Sequence, residues 1–465
     1  MKNIRLGQKE IIHFIGIGGI GMSGLAQVMK NMGFKIQGSD QNKNKSTINC
    51  VKAGIKVFKG HSQKNIKKVT IIVKSSAIKS NNVEIKFAKK RKIPIYSRAE
   101  VLADVVSLKK NIIITGSHGK TTTTSLVAKI LSDQRLDPTI INGGVINSLK
   151  SNAKLGNGEW AILEADESDG SFLKLPINYS IVTNIDYEHL DYYKNYKNLE
   201  TAFLQFINKT PPIGKSVICI DDRNIRKILP KIVNKNILTY GFTQKANFKI
   251  SNARYVLDHS FFDLSYTNSD NKKKKITNIN LKLIGEHNIL NATAAIVVCL
   301  NLGIKSNVIK KALKNFSGVQ RRMTKIFSKN KNEFFDDYAH HPTEISSVLS
   351  GVRKVYPKRK IITVFEPHRY SRVVSLNKRF SESFDKTDIV LICPIYPAGE
   401  KKKLNFDFLK FANLISKNSN TQVILVRNKN EIVKYFKKNL ISDEIIIGMG
   451  AGLISQWMRE LEFHL

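Results

Sequence analysis

Asn111-Ile112-Ile113-Ile114-Thr115-Gly116-Ser117-His118-Gly119-Lys120-Thr121-Thr122-Thr123-Thr124-Ser125-Leu126-Val127 is the stretch whose reading decides the fold. The apolar run Ile112–Ile114 suits a strand covered on both faces. Gly116 and Gly119 permit positive φ, so successive backbone N–H groups can turn toward one point. Lys120 brings a flexible cation there. A helix from about Thr121 adds free N–H groups and the positive end of its dipole. A nucleotide triphosphate fits this turn, held by Gly116, Ser117, His118, Gly119, Lys120, Thr121 and Thr122, with a threonine hydroxyl left for Mg²⁺. Ile114 stands where the common G-x-x-x-x-G-K-[ST] loop has its first glycine, so the loop is a short form. The plainer reading is an ordinary glycine turn, which G-K-T after an apolar strand outweighs. The His118 ring is assigned no chemistry.

Working outward, 465 residues suggest about three domains. The 42% hydrophobic content is ample for large cores. No run approaches the roughly 18 apolar residues of a membrane span. Lys2 and Arg5 precede only a short apolar run, Ile11–Ile17, so no secretion signal is expected. Cys50, Cys219, Cys299 and Cys393 are scattered, which fits reduced thiols and a cytoplasmic setting rather than a zinc site. The net charge of +39 is spread along the chain, mostly as lysine beside isoleucine and asparagine. It would attract acidic small molecules, but no interleaved aromatics mark a specific nucleic-acid site. The dense block Lys272–Lys275 is expected at a solvated hairpin tip.

Near the start, strand Ile11–Ile15 leads through Gly16-Ile17-Gly18-Gly19-Ile20-Gly21 into a helical pattern, Met22–Met32. This is G-x-G-x-x-G in its required context, and it rests a diphosphate on a helix N-terminus. A second strand ends at Gly38-Ser39-Asp40, where a dinucleotide fold places its ribose-binding acid. Further α/β units follow; His61 and Ser75 could touch a ligand there, and for either alone a loop position is the simpler account. The pattern restarts near Val106–Lys110. Strand Trp160–Ala165 ends in Glu164-Ala165-Asp166-Glu167-Ser168-Asp169, and strand Tyr179–Asn184 ends in Asp186-Tyr187-Glu188-His189. Ligands of parallel sheets bind beyond the carboxyl ends of strands, so Lys120, Thr121, Glu164 and His189 can share a crevice. For His189 alone a structural role is the simpler account; beside this loop and acid cluster, a metal role prevails. Short alternating strands over residues 237–284 suggest an antiparallel edge. Asn288 and Asn291 open a helix on one face; amides suit an adenine edge, and N-capping by Asn288 is the plain alternative.

Beyond Gly318–Met323 a third α/β pattern begins. Its strand ends carry Asp336-Asp337-Tyr338-Ala339-His340-His341 and His368-Arg369-Tyr370-Ser371-Arg372. Arg369 and Arg372 are three apart and can face one way on a helical turn to hold a carboxylate or phosphate. Surface ion pairing is the alternative.

With these residues laid out, the chain resembles the Mur ligases of bacterial cell-wall synthesis. The stretches are G-I-G-G-I-G-M-S-G-L-A, G-S-D, T-G-S-H-G-K-T-T-T-T, E-A-D-E-S-D-G-S-F, T-N-I-D-Y-E-H-L-D, G-E-H-N-I-L-N-A, G-V-Q-R-R-M, D-D-Y-A-H-H-P-T-E-I and H-R-Y-S-R, in family order. The first and last sets point to the alanine-adding branch. The resemblance implies an α/β protein of three domains. These are an N-terminal Rossmann-like UDP-binding domain (1–107), a central P-loop ATPase-like domain with a small antiparallel edge (108–319), and a C-terminal Rossmann-like domain (320–465) that closes over both. It implies ATP, UDP-N-acetylmuramate and L-alanine as substrates, an acyl phosphate intermediate, and a monomer or homodimer.

Residue roles follow from the same resemblance. Gly18, Gly19, Gly21, Ser39, Asp40 and Ser75 would lie near the UDP ligand. Thr121 and Glu164 would hold one Mg²⁺ and His189 a second, with Glu167 able to replace Glu164. Asn291 would meet adenine, and Arg322 and Asp337 would reach the nucleotide. His340, His341, Arg369 and Arg372 would surround the acyl phosphate and the alanine carboxylate. Several relatives carry a carbamylated lysine after the counterpart of His189; Lys194, Lys197 and Lys209 fit no such pattern. Two other readings remain open here: a recycling ligase that adds a tripeptide to the same sugar nucleotide, and an NAD-dependent oxidoreductase built on Gly16–Gly21.

Overall fold

A computed structural model describes residues 10–401 and 406–465, with the Asp191 side chain left out. Lys2 and Arg5 lie outside the described residues. The chain divides into two compact units: one of residues up to 252, 262–280 and 290–317, the other of 253–261, 281–289 and 318–465.

The first unit contains one whole sheet and most of a second. The smaller is built from β1 (Ile11–Ile15), β2 (Lys35–Asp40), β3 (Lys56–Lys59), β4 (Ile71–Lys74) and β5 (Ile95–Ser97), in the order β3-β2-β1-β4-β5. All its pairings are parallel. The strand order reverses beside β1, and a ligand crevice forms at such a switch point. The glycine turn follows β1 there, and helix Ile20–Asn31 starts on Gly19. That helix buries Met22, Leu25, Ala26, Val28 and Met29, spaced along one face.

The larger sheet contains β6 (Lys110–Thr115), β7 (Thr139–Ile146), β8 (Ser151–Lys154), β9 (Trp160–Glu164), β10 (Tyr179–Val182), β11 (Lys215–Cys219), β12 (Ile237–Gly241), β13 (Phe248–Val256), β14 (His259–Thr267) and β15 (Lys273–Leu281). Its order is β15-β14-β13-β12-β11-β10-β6-β9-β7-β8. β6 lies between β10 and β9, parallel to both. Covered on both faces, it is buried from Asn111 to Thr115, as its continuous apolar run requires.

Two expectations change here, and one hairpin is new. The antiparallel edge starts later than residue 237, because β12 pairs in parallel with both β11 and β13. The successive neighbours β13, β14 and β15 are linked by turns too short for a parallel crossover. Lys273–Lys275 begin β15, and the tip is the turn closed by Asn268 N donating to Lys272 O. The antiparallel hairpin β7–β8 was not anticipated; its Asn-Gly-Gly and Asn-Ser interruptions hide the strand pattern.

The second unit is organised on β16 (Thr324–Lys329), β17 (Asn332–Asp337), β18 (Ile361–Phe365), β19 (Ile389–Ile392), β20 (Gln422–Leu425) and β21 (Ile445–Met449), in the order β16-β17-β21-β18-β19-β20. Only the β16–β17 hairpin is antiparallel. Alternate residues feed opposite faces. Ile361, Phe365, Val390, Ile445 and Ile447 enter one core, and Ile362, Val364, Ile389, Leu391 and Ile446 the other. Asp336 and Asp337 complete β17 rather than follow it.

Candidate active site

In the first unit the turn after β6 takes the left-handed backbone its glycines permit: φ is +132° at Gly116 and +82° at Gly119. A Cβ on Gly116 would fall 2.1 Å from Thr183 Oγ1, and one on Gly119 2.3 Å from Asn291 Oδ1. Asn291 therefore lies against the glycine turn itself. The turn is tied to the residues after β10. Ser117 N donates to Asn184 O (3.2 Å) and His118 N to Asn184 Oδ1 (2.8 Å). Asp186 N donates to Ser117 Oγ (2.8 Å), and the His118 ring meets Asp186 Oδ2 at 3.1 Å. The Ser117 and His118 amides thus hold the turn in shape, and the His118 ring has Asp186 as a partner.

Lys120 Nζ donates to Gly116 O (2.5 Å), Ser117 O (3.2 Å) and both oxygens of Glu167 (3.1 and 2.8 Å). Glu167 is wholly buried. Burial pushes its carboxyl up, but the Lys120 charge and the His189 bond outweigh this and hold it down at about 2. Burial acts to lower Lys120 as well, and Glu167 more than reverses it. His189, with its ring 3.5 Å from Glu167 and 3.8 Å from Glu188, is likewise raised, burial opposing and Glu167 prevailing. It holds φ +57° where helix Leu190–Tyr193 begins.

Glu164 occupies a different place. Its Oε1 accepts from Thr121 Oγ1 (3.1 Å) and its Oε2 from Gly143 N on β7 (2.6 Å). The two acids are therefore not alternatives: Glu164 faces Thr121, and Glu167 faces Lys120 and His189. Asp166, Glu167 and His189 also bring ligand atoms within 4.8 Å of one another. Hydroxyl and carboxylate donors suit a hard divalent cation, so Thr121 with Glu164 fits magnesium. Lys209 Nζ is spent on Leu173 O (2.5 Å) and Leu175 O (3.2 Å).

At the first glycine turn, Asp40 Oδ2 accepts from Gly18 N (2.8 Å), and Asn44 Nδ2 donates to Gly18 O (3.1 Å). Asp40 thus braces the turn. Ser39 is fully buried, and its Oγ donates to Glu84 Oε2 (2.6 Å) and lies 3.2 Å from His13 and 3.0 Å from His61. Ser75 is half-exposed beside the turn, its Cβ 3.2 Å from a Cβ built on Gly16. Arg98 was missed. Its Nη1 would lie 2.9 Å from a Cβ on Gly21, so it presents a cation at the start of the helix. The Ser97–Glu100 capping box after β5 is the signal that could have found it.

In the second unit, Asp337 is nearly buried and spends its oxygens on Met323 N and Ala339 N, both at 2.8 Å. Burial pushes its carboxyl up to about 6. These two bonds tie the loop in which it stands. His341 is also buried; its Nδ1 accepts from Thr343 N (3.3 Å) and caps helix Pro342–Val355. His340 Nδ1 donates to Tyr338 O (2.9 Å) and lies 3.4 Å from Glu344. The Arg322 guanidinium stands over the Tyr338 ring at 5.5 Å and 3.6 Å from Glu344. Arg369 has φ +68° and precedes helix Tyr370–Ser375, so it does not share a helical face with Arg372. Arg372 Nη1 instead meets His368 Nδ1 at 3.4 Å. The His368 ring stacks on Tyr396 (5.6 Å) and meets His340 edge-on (5.5 Å). His368 and Tyr396 are therefore additions to the set. Burial lowers His340 to about 4 and His368 to about 3.

Comparison with known proteins follows this geometry. Models of the Mur ligase family match along the chain: its catalytic domain at residues 11–110, its middle domain at 114–299 and its glutamate ligase domain at 321–452. The chain is 54% identical to the UDP-N-acetylmuramate–L-alanine ligase of Pelagibacter ubique over 98% of its own length and 99% of the relative's. The corresponding ligase of Bartonella tribocorum is 40% identical, over 98% and 96%. The crystal structure of the UDP-N-acetylmuramate-alanine ligase of Thermotoga maritima superposes with a TM-score of 0.82 at 28% identity, covering 97% of this chain and 98% of that one.

Proposed function

The chain belongs to the Mur ligase family and has its three-domain architecture, and on that premise we propose that it joins L-alanine to the lactyl carboxylate of UDP-N-acetylmuramate with cleavage of ATP to ADP and phosphate. The domain boundaries are proposed near residues 107 and 319. The observation that carries the reaction class is the glycine–lysine turn with Glu164 and Glu167 set on different partners at one strand end. The choice of sugar nucleotide and amino acid comes from the relatives, which match over nearly the whole chain.

A carboxylate is a poor electrophile, so its oxygen first takes the γ-phosphoryl group and ADP leaves. The free amine of alanine then attacks the acyl carbon of this acyl phosphate, inorganic phosphate departs, and the amine gives up a proton. Lys120 is charged and pre-positioned by Glu167, ready to share its cation with the phosphates. Thr121 and Glu164 would hold one Mg²⁺, with Asp166, Glu167 and His189 as a second set; bound there, the ion neutralises phosphate charge. In the N-terminal sheet, Arg98 and the first turn of helix Ile20–Asn31 would receive the UDP diphosphate, with Gly18, Gly19 and Gly21 leaving room. In the second unit, Arg369 and Arg372 would hold the alanine carboxylate. His340 and His368, kept neutral by burial, would line the same site as uncharged polar groups.

Among the described residues no helix is long and apolar enough to cross a membrane; we place the reaction in the cytoplasm. The test is release of phosphate, which should require UDP-N-acetylmuramate, L-alanine, ATP and magnesium together. Release without an amino acid would overturn the reading, and a preference for a tripeptide over alanine would favour the recycling reaction.

A further inference from the structure

The two ligand-facing helices of the first unit, Ile20–Asn31 and Lys120–Asp133, open on separate glycine turns in separate sheets. The hairpin β7–β8 runs between them. Asn152 on β8 donates Nδ2 to Ile20 O (2.9 Å), in the first turn of one helix, and reaches Asn142 O (3.4 Å) on β7. Asn142 Nδ2 donates to Ser125 Oγ (2.9 Å), and Ser125 Oγ to Thr121 O (2.7 Å), in the first turn of the other helix. Ser125, Asn142 and Asn152 are 0, 1 and 5% exposed. The next residue along β7, Gly143, holds Glu164 through its N–H. Gly24 lets the first helix approach so closely that a Cβ there would lie 2.9 Å from Asn152 Nδ2.

A buried amide donor is expected to find an acceptor somewhere, and simple satisfaction would explain any one of these bonds. It does not explain why the chain of bonds begins and ends in the first turns of the two helices that face polyphosphates. The assignment rests on the reaction proposed above. We propose that Asn152 is a positioning residue that couples the two glycine turns: it fixes the first turn of the UDP-facing helix to the hairpin that also sets Thr121 and Glu164. A ligand that orders one turn then holds the hairpin in the arrangement the other turn needs. The second ligand binds more tightly without any shared contact.

The test measures the Kd of UDP-N-acetylmuramate by calorimetry, with and without a saturating non-hydrolysable ATP analogue. Wild-type protein should show a ratio of about fivefold or more. In Asn152→Ala the ratio should collapse to about one, while each ligand alone binds within about threefold of wild type. Ser125→Ala interrupts the same chain at its other end and should also lower the ratio, so the proposal stays testable if Asn152→Ala does not fold. A wild-type ratio of one, or a ratio unchanged in a folded variant, would overturn it. Absence of UDP-N-acetylmuramate binding in the wild type is a separate result, which would overturn the assigned reaction and this inference with it.

Discussion

Lys120 Nζ lies 2.8 Å from Glu167 Oε2, and the acid is wholly buried. The cation proposed to meet the phosphates is therefore neutralised and aimed by the protein before any nucleotide arrives. Lys120→Ala should abolish phosphate release and leave the Kd for UDP-N-acetylmuramate within about twofold, because that ligand is assigned to the other sheet. A parallel loss of UDP-sugar affinity would contradict the separation of the two sites.

Glu167→Gln leaves the lysine charge without its buried partner. The loss of stability should be about 3–5 kcal/mol, read by urea unfolding. An unchanged midpoint would mean that water or another acid replaces Glu167.

Glu164→Gln removes the charge that Thr121 Oγ1 and Gly143 N face. The magnesium concentration giving half-maximal phosphate release should rise by about tenfold or more, with UDP-N-acetylmuramate binding unmoved. If the magnesium requirement stays the same, the assignment of Glu164 to the metal is wrong.

The buried cluster beneath the first glycine turn predicts a pH dependence. Burial pushes Glu84 up, and its bonds from His13, Ser39 and Asn65 outweigh this, leaving it at about 2 against an ordinary 4.5. A depressed acid stabilises the fold fully above its unfolded value, and that contribution is lost as pH falls from about 4.5 toward 2. Unfolding midpoints measured down this range should fall more steeply in the wild type than in Glu84→Gln.

His340 carries the corresponding prediction in the second unit. Burial lowers it to about 4 from 6.5, so the unfolded chain binds the extra proton between those values. Stability from this group is full above pH 6.5 and declines toward pH 4. His340→Gln should flatten that part of the stability profile.

Arg372→Lys tests the alanine site. Lysine keeps the charge and loses the planar fork beside His368. The KM for L-alanine should rise about tenfold while the KM for UDP-N-acetylmuramate is unchanged. Equal changes in both would place Arg372 outside the amino-acid site.

What the sequence determined by itself was local. Ile112–Ile114 followed by Gly116 and Gly119 could only be a buried strand entering a helix through a turn of positive φ, and β6 with helix Lys120–Asp133 is that element. Ile11–Ile15 with the first glycine run was equally legible, since strand and helix periods are written in adjacent residues. What only the tertiary structure decided was which polar side chain meets which. Glu164 and Glu167 stand three apart in an acid cluster, and nothing local says that one faces Thr121 and the other Lys120. Nor does anything local say that Ser39 meets Glu84, Asp337 the Met323 and Ala339 amides, and His341 the Thr343 amide. His368, Tyr396, Arg98 and Asn152 gained their places from strands brought together by sheet order. Hydrophobic period and glycine backbone preference act over a few residues and survive in one dimension. A hydrogen bond or ion pair between residues as distant as Lys120 and Glu167 exists only once the sheet has set their strand ends side by side.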